Sequence, residues 1–357
     1  METHPWAAGV ATGVGSLPGE DVREAARTVV GELPDFPHLP ELPGRGPAAE
    51  IAGRGASFLV DLHVELWPSG WRLAGRPGVD ARRAAGLVRQ DLDALEEFIQ
   101  GYEGPLKVQV AGPWTLAAAL ELAHGDKALR DPGACRDLSA SLAEGVRQHV
   151  MEVRGRVPGA RVVLQLDEPS LPAVLAGGVP TASGFGRLPA VDAATAADGL
   201  RRVVSAADAA TVVHCCAPGV PIGLLRDAGV RGVSLDLRLR TLCPPRTPSR
   251  PSDDEALAEA VEDGIGLFLG AVPSGPPTDR TPAEAATSEP VSVPVSEPAA
   301  TVERVRAWWR RLGFPVERLA ETVVVTPACG LVGMSPEQSR AALARSRKAA
   351  AMLLDGA

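Results

Sequence analysis

A chain of 357 residues with 45% hydrophobic and 22% charged side chains has ample material for a large core, and its length suits two domains or one α/β barrel. With 36 Lys and Arg against 44 Asp and Glu, the net charge of −8 argues against nucleic acid or an anionic membrane surface as the main partner. Five cysteines do not read as a disulfide framework, and neither a secretory signal pattern nor an apolar run of membrane-spanning length is present, so a reduced, cytoplasmic protein is expected.

Short apolar runs alternate with amphipathic stretches along the chain. Val10–Ser16 is the first predicted strand. Pro34–Pro47, with five prolines, reads as an extended loop after it, crossing a barrel mouth. Ser57–His63 is the second predicted strand. Asp80–Gln100 puts Leu87, Val88, Leu92, Leu95 and Ile99 on one helical stripe. Strand three is Leu106–Gly112. The helix Pro132–Gly155 carries the stripe Leu138, Leu142, Val146, Val150 and Val153. Strand four is Arg161–Asp167, the next helix Ala193–Asp208, and strands five to seven are Ala210–Cys216, Gly232–Leu237 and Gly264–Val272. Residues 273–300 are Pro-rich, with seven prolines over Pro273–Pro298 and nothing aromatic, and are expected to form a disordered insert after strand seven. Thr301–Leu312 predicts a helix that buries Trp308 and Trp309, and Thr322–Thr326 is strand eight.

Most of these strands are Val- and Leu-rich with little alternation, as parallel strands covered on both faces are. Eight of them with helical crossovers predict an α/β protein, a single (β/α)8 TIM barrel over residues 1–357, in preference to a doubly wound open sheet.

Strand five ends in Thr211-Val-Val-His-Cys-Cys-Ala-Pro218. Alternation puts His214 and Cys216 on one side and Cys215 on the other. Imidazole and thiolate are zinc donors, and barrel enzymes place their chemistry at the C-terminal ends of strands. Strand eight ends in Thr326-Pro-Ala-Cys-Gly330, which brings Cys329 to the same mouth if the barrel closes. Strand six ends near Asp236. His214, Cys216, Asp236 and Cys329 would complete a tetrahedral zinc site. Cys135, on a helix, and Cys243, in a loop, read as incidental.

Those two motifs, with Val14-Gly-Ser-Leu-Pro18 and Gln165-Leu-Asp-Glu-Pro169, resemble the C-terminal catalytic barrel of cobalamin-independent methionine synthase, a relative of the uroporphyrinogen decarboxylase fold. The resemblance covers nearly the whole chain in matching order. It implies zinc on His214, Cys216 and Cys329, with Asp236 where the family has a Glu. It implies that Gly15 and Ser16 help hold the amino-acid substrate and that Asp167 pairs with its ammonium. Gly112-Pro-Trp-Thr115 resembles the family's turn after strand three. The activity implied is methyl transfer to a thiol, homocysteine giving methionine. Two thiolates, a carboxylate and a neutral imidazole leave a zinc centre with formal charge −1, a poor Lewis acid that keeps an added thiolate nucleophilic. Helix-start amides after Ser16 are expected to take the substrate carboxylate.

Three departures shape the expectation. The chain has one barrel. The loop Gly270–Gly275 after strand seven lacks the His that the family uses to protonate a departing folate nitrogen. No His-Gly-Glu stretch is found, with Asp61, His63 and Glu65 as its candidate substitutes. A methylcorrinoid donor, whose cobalt leaving group needs no proton, therefore stands beside methyltetrahydrofolate. Two alternatives remain: a metal-free decarboxylase of the uroporphyrinogen kind, which has no arginine ahead of Arg23 to hold its substrate, and a non-catalytic barrel that binds zinc or a thiol.

Overall fold

The computed structural model describes residues 4–242, 253–275 and 297–356. Two strands, β1 (His63–Trp67) and β2 (Gly70–Ala74), pair antiparallel as a hairpin. Six more form one parallel sheet in chain order: β3 (Gly104–Ala111), β4 (Ala160–Asp167), β5 (Ala210–Cys215), β6 (Gly232–Asp236), β7 (Gly266–Val272) and β8 (Val323–Pro327). Every residue of β3, β6, β7 and β8 is buried, which is why these strands are mostly apolar, with Lys107, Gln109, Ser234, Asp236 and Thr326 as their buried polar residues.

Helices cross over between successive strands, among them Pro132–Arg156, Ala193–Ala206, Asp253–Glu262 and Pro298–Leu312. The longest shows how the sequence sets its ends. Asp131 accepts from the N–H groups of Gly133 and Ala134, Pro132 opens the first turn, and Arg154 and Arg156 close the last. Its buried stripe includes the five residues read from periodicity. Trp308 and Trp309 are buried as expected.

Gly145 of that helix faces the Phe58 backbone, and a Cβ there would lie 1.6 Å from the Phe58 carbonyl oxygen. The helix must therefore move for any side chain to enter. Gly145→Ala should cost about 3 kcal/mol, the upper range for overpacking. Gly155→Ala, on the same helix with nothing within 4 Å, should gain about 0.5–1 kcal/mol. Chemical denaturation of the two variants measures both.

The two edges of the sheet are met by segments that make only isolated bridges. Ala11 pairs with Val325 of β8, His38 with Lys107 of β3, and Ser16 with Glu41. The chain is thus hydrogen-bonded from β8 through residues 10–17 and 37–41 to β3. This corrects the second strand. Residues 57–62 belong to no strand, and His63 opens the hairpin. The place beside β3 is filled from the Pro-rich stretch read as a loop. The reason lies in donor placement. Leu39 N–H donates to the Lys107 carbonyl on one side, Glu41 N–H to the Gly15 carbonyl on the other, and Pro40 between them has no N–H to satisfy.

Inside the curve of the sheet, Trp6, Val10, Phe36, Val163, Val212, Phe268 and Val324 form their own apolar cluster. The larger core lies between strands and helices. Cys135 is buried in its helix with Sγ 3.5 Å from the Ala128 carbonyl oxygen. Cys243, and residues 276–296 of the Pro-rich stretch, lie outside the described residues.

Candidate functional site

His214, Cys216 and Cys329 each place one ligand atom within 4.8 Å of the others, although the two cysteines are 113 residues apart in sequence. β5 carries the first two to its C-terminal end, and β8 carries the third. Cys215 is fully buried on the opposite side, as alternation requires. The Cys216 and Cys329 sulfurs are 3.2 Å apart, too long for a disulfide of about 2.05 Å. They share a hydrogen bond. That bond, with His214 nearby, pulls the Cys329 thiol down to about 4. The same bond and burial push Cys216 above the usual thiol range.

The imidazole is prepared for a ligand. Its Nδ1 lies 2.9 Å from the Ser234 hydroxyl on β6, and its buried Nε2 has no hydrogen-bond partner among the described residues. With the Nδ1 proton given to Ser234, Nε2 carries a lone pair and the ring is fixed in orientation. An orphaned imidazole nitrogen beside two sulfurs fits zinc by donor chemistry. The structure does not bring Asp236 into this group. Its carboxylate is turned onto Arg238, accepting from the backbone N–H at 2.8 Å and from Nη2 at 2.9 Å.

Asp167 ends β4 directly beside His214 in the parallel ladder. Gln165 Nε2 donates to its Oδ1 at 2.7 Å, and burial raises its carboxyl to about 7. The adjacent Glu168 has a different task. It is fully buried and accepts from the N–H groups of Trp114 and Thr115 and from the Thr115 hydroxyl. It thereby pins the Gly112–Thr115 turn to the end of β4. A Cβ on Gly112 would lie 2.4 Å from its Oε1.

Ser16 packs against the cysteine loop. A Cβ on Gly330 would lie 1.9 Å from the Ser16 hydroxyl, and Leu331 N–H donates to the Ser16 carbonyl at 2.8 Å. Gly15 lies against Gln109 Nε2 and Glu41 Oε2, at 2.9 and 3.2 Å from where its Cβ would be. The helix-start expectation is corrected. The next helix begins at Val22, and its first amides are already taken by Asp21.

Glu41, Lys107, Gln109 and Gln165 were not among the sequence-derived site residues. Glu41 is paired with Arg54 at 3.0 Å. Lys107 and Gln109 on β3 and Gln165 on β4 are almost wholly buried. Their signal was a polar residue at every second position of otherwise apolar strands. Asp61 is exposed, His63 and Glu65 sit on the hairpin, and Glu65 accepts from Trp67 Nε1.

No described protein family and no curated protein matches the sequence. Among solved structures, the chain is similar to a B12-independent methionine synthase from Shewanella sp. W3-18-1, solved in complex with selenomethionine. The TM-score is 0.59 at 13% identity, with 98% of each chain covered. Over nearly its whole length this chain therefore has the fold of that methionine synthase.

Proposed function

We propose that the chain is a zinc-dependent methyltransferase acting on a thiol, homocysteine giving methionine as the best fit. The observation that carries this reading is the convergence of His214, Cys216 and Cys329 at the C-terminal ends of two distant strands. On this reading the six-stranded sheet and residues 10–17 and 37–41 make one closed (β/α)8 barrel, with the site at its C-terminal mouth. His214, Cys216 and Cys329 would hold the metal, and Asp236, on the strand next to β5, would be the fourth ligand once freed of Arg238. When bound there, zinc supplies the charge that converts a substrate thiol to thiolate at neutral pH.

The remaining residues orient the amino acid. Asp167, beside the imidazole, meets the ammonium, and Glu41 against Gly15 brings a second carboxylate to the same end. Ser16, packed on Gly330, is placed to receive the substrate carboxylate. Homocysteine spans these groups with its sulfur at the cysteines. Both arginines near the second segment are engaged, Arg45 with Asp91 and Arg54 with Asp91 and Glu41, which disfavours the decarboxylase alternative. The donor is methyltetrahydrofolate or a methylcorrinoid. The missing His after β7 favours the latter.

Zinc-quantified protein, homocysteine and either methylcobalamin or methyltetrahydrofolate test the proposal. Methionine formed in proportion to zinc content supports it. Homocysteine binding with no methionine from either donor points to the non-catalytic alternative. Full activity without metal refutes the reading.

A further inference from the structure

The segment that presents Gly15 and Ser16 is held by backbone bonds at its two ends, Val10 and Thr12 to Val325 and Gly15 and Leu17 to Glu41, and by side chains between them. Among the described residues, 10–17 make bridges only at Ala11 and Ser16. Between them the Val14 carbonyl receives two side-chain donors, Lys107 Nζ at 2.8 Å and Gln165 Nε2 at 2.9 Å. These come from adjacent strands, β3 and β4. Lys107 also donates to Gln109 Oε1 at 3.1 Å, and Gln109 Nε2 donates to the Leu39 carbonyl at 2.7 Å. The same braced set therefore ties both irregular segments to the sheet.

Burial of this kind needs compensation. A cation and two amides are almost wholly buried, a costly arrangement unless each is hydrogen-bonded. Burial lowers the Lys107 ammonium to about 7, with Asp167 and Glu41 opposing the shift. Two of the compensating bonds, from Lys107 and Gln165, converge on the residue immediately before Gly15. Gln165 adds a second bond, to Asp167 Oδ1, so one amide fixes the Gly15–Ser16 turn and the β4 carboxylate together.

We infer that Lys107 and Gln165 are positioning residues for the carboxylate end of the substrate, clamping the Val14 carbonyl so that Ser16 is held beside Gly330. The inference rests on the reading of Ser16 as the seat of the substrate carboxylate. It assigns the two side chains no contact with the reacting sulfur.

The test compares L-homocysteine with 3-aminopropane-1-thiol, the same molecule without its carboxylate. Titration calorimetry on zinc-loaded protein gives a Kd for each. Lys107→Met removes one donor to the Val14 carbonyl and leaves the Gln165–Asp167 bond in place. It should weaken homocysteine by about tenfold, the scale of one lost buried hydrogen bond, and leave 3-aminopropane-1-thiol within about twofold. Gln165→Met also removes the bond to Asp167 Oδ1, so it should weaken both thiols, homocysteine the more. Amide hydrogen exchange on metal-free protein is the second readout: exchange at residues 13–17 should quicken while β5 and β8 stay protected. Equal weakening of both thiols by Lys107→Met, or unchanged exchange at residues 13–17, overturns the inference. If wild-type protein binds neither thiol, the proposed function fails, and exchange at residues 13–17 alone decides the clamp.

Discussion

Cys329→Ser is expected to leave a folded protein that no longer retains zinc. A hydroxyl is a poor replacement for thiolate, and the three ligand atoms now within 4.8 Å would be reduced to two. Metal analysis after dialysis should fall from about one ion per chain to about a tenth of that or less, and thiol methylation should fall with it. Cys216→Ser and His214→Ala should do the same. Cys135→Ser is the internal control, since its sulfur lies on a helix against the Ala128 carbonyl. Ser234→Ala probes the support of the site. It removes the partner of His214 Nδ1 and should weaken zinc binding by about 10–100-fold without removing a ligand. Full zinc in Cys329→Ser would show that Cys329 is no ligand and lies beside Cys216 for packing reasons alone.

Gly330→Ala is expected to abolish most activity while zinc stays bound. Its new Cβ would occupy a point 1.9 Å from the Ser16 hydroxyl, far inside any contact distance. Ser16 or the Cys329–Gly330 loop must then shift. Displacement of a substrate-positioning group by about 1 Å is enough to cost about 100-fold in kcat/KM. The matching control is Gly333→Ala, where nothing lies within 4 Å. Steady-state kinetics on metal-quantified protein separates the outcomes. A Gly330→Ala enzyme within about threefold of wild type would place Ser16 outside the working site.

These two effects meet at one loop. Cys329 faces the Cys216 sulfur and the His214 imidazole, and the next residue faces the Ser16 hydroxyl. Asp167 stands beside the imidazole and is tied through Gln165 to the residue before Gly15. Among the described residues no helix is long and apolar enough to cross a membrane.

Composition and periodicity by themselves determined the parallel α/β character, six of the strands and the long helices, because burial on both faces imposes apolar runs and one-sided burial imposes a helical stripe. They also marked His214, Cys216 and Cys329, since those residue types at strand ends are chemically conspicuous. Only the tertiary structure decided the rest. Residues 37–41 stand beside β3 because Leu39 and Glu41 donate to opposite sides across a donorless proline, a pattern that resembles a loop when hydrogen-bond partners are unknown. Asp236 faces Arg238 because a nearby guanidinium satisfies a buried carboxylate. Lys107 and Gln165 matter through one carbonyl more than 90 residues away in sequence, and no local window of sequence contains a contact of that range.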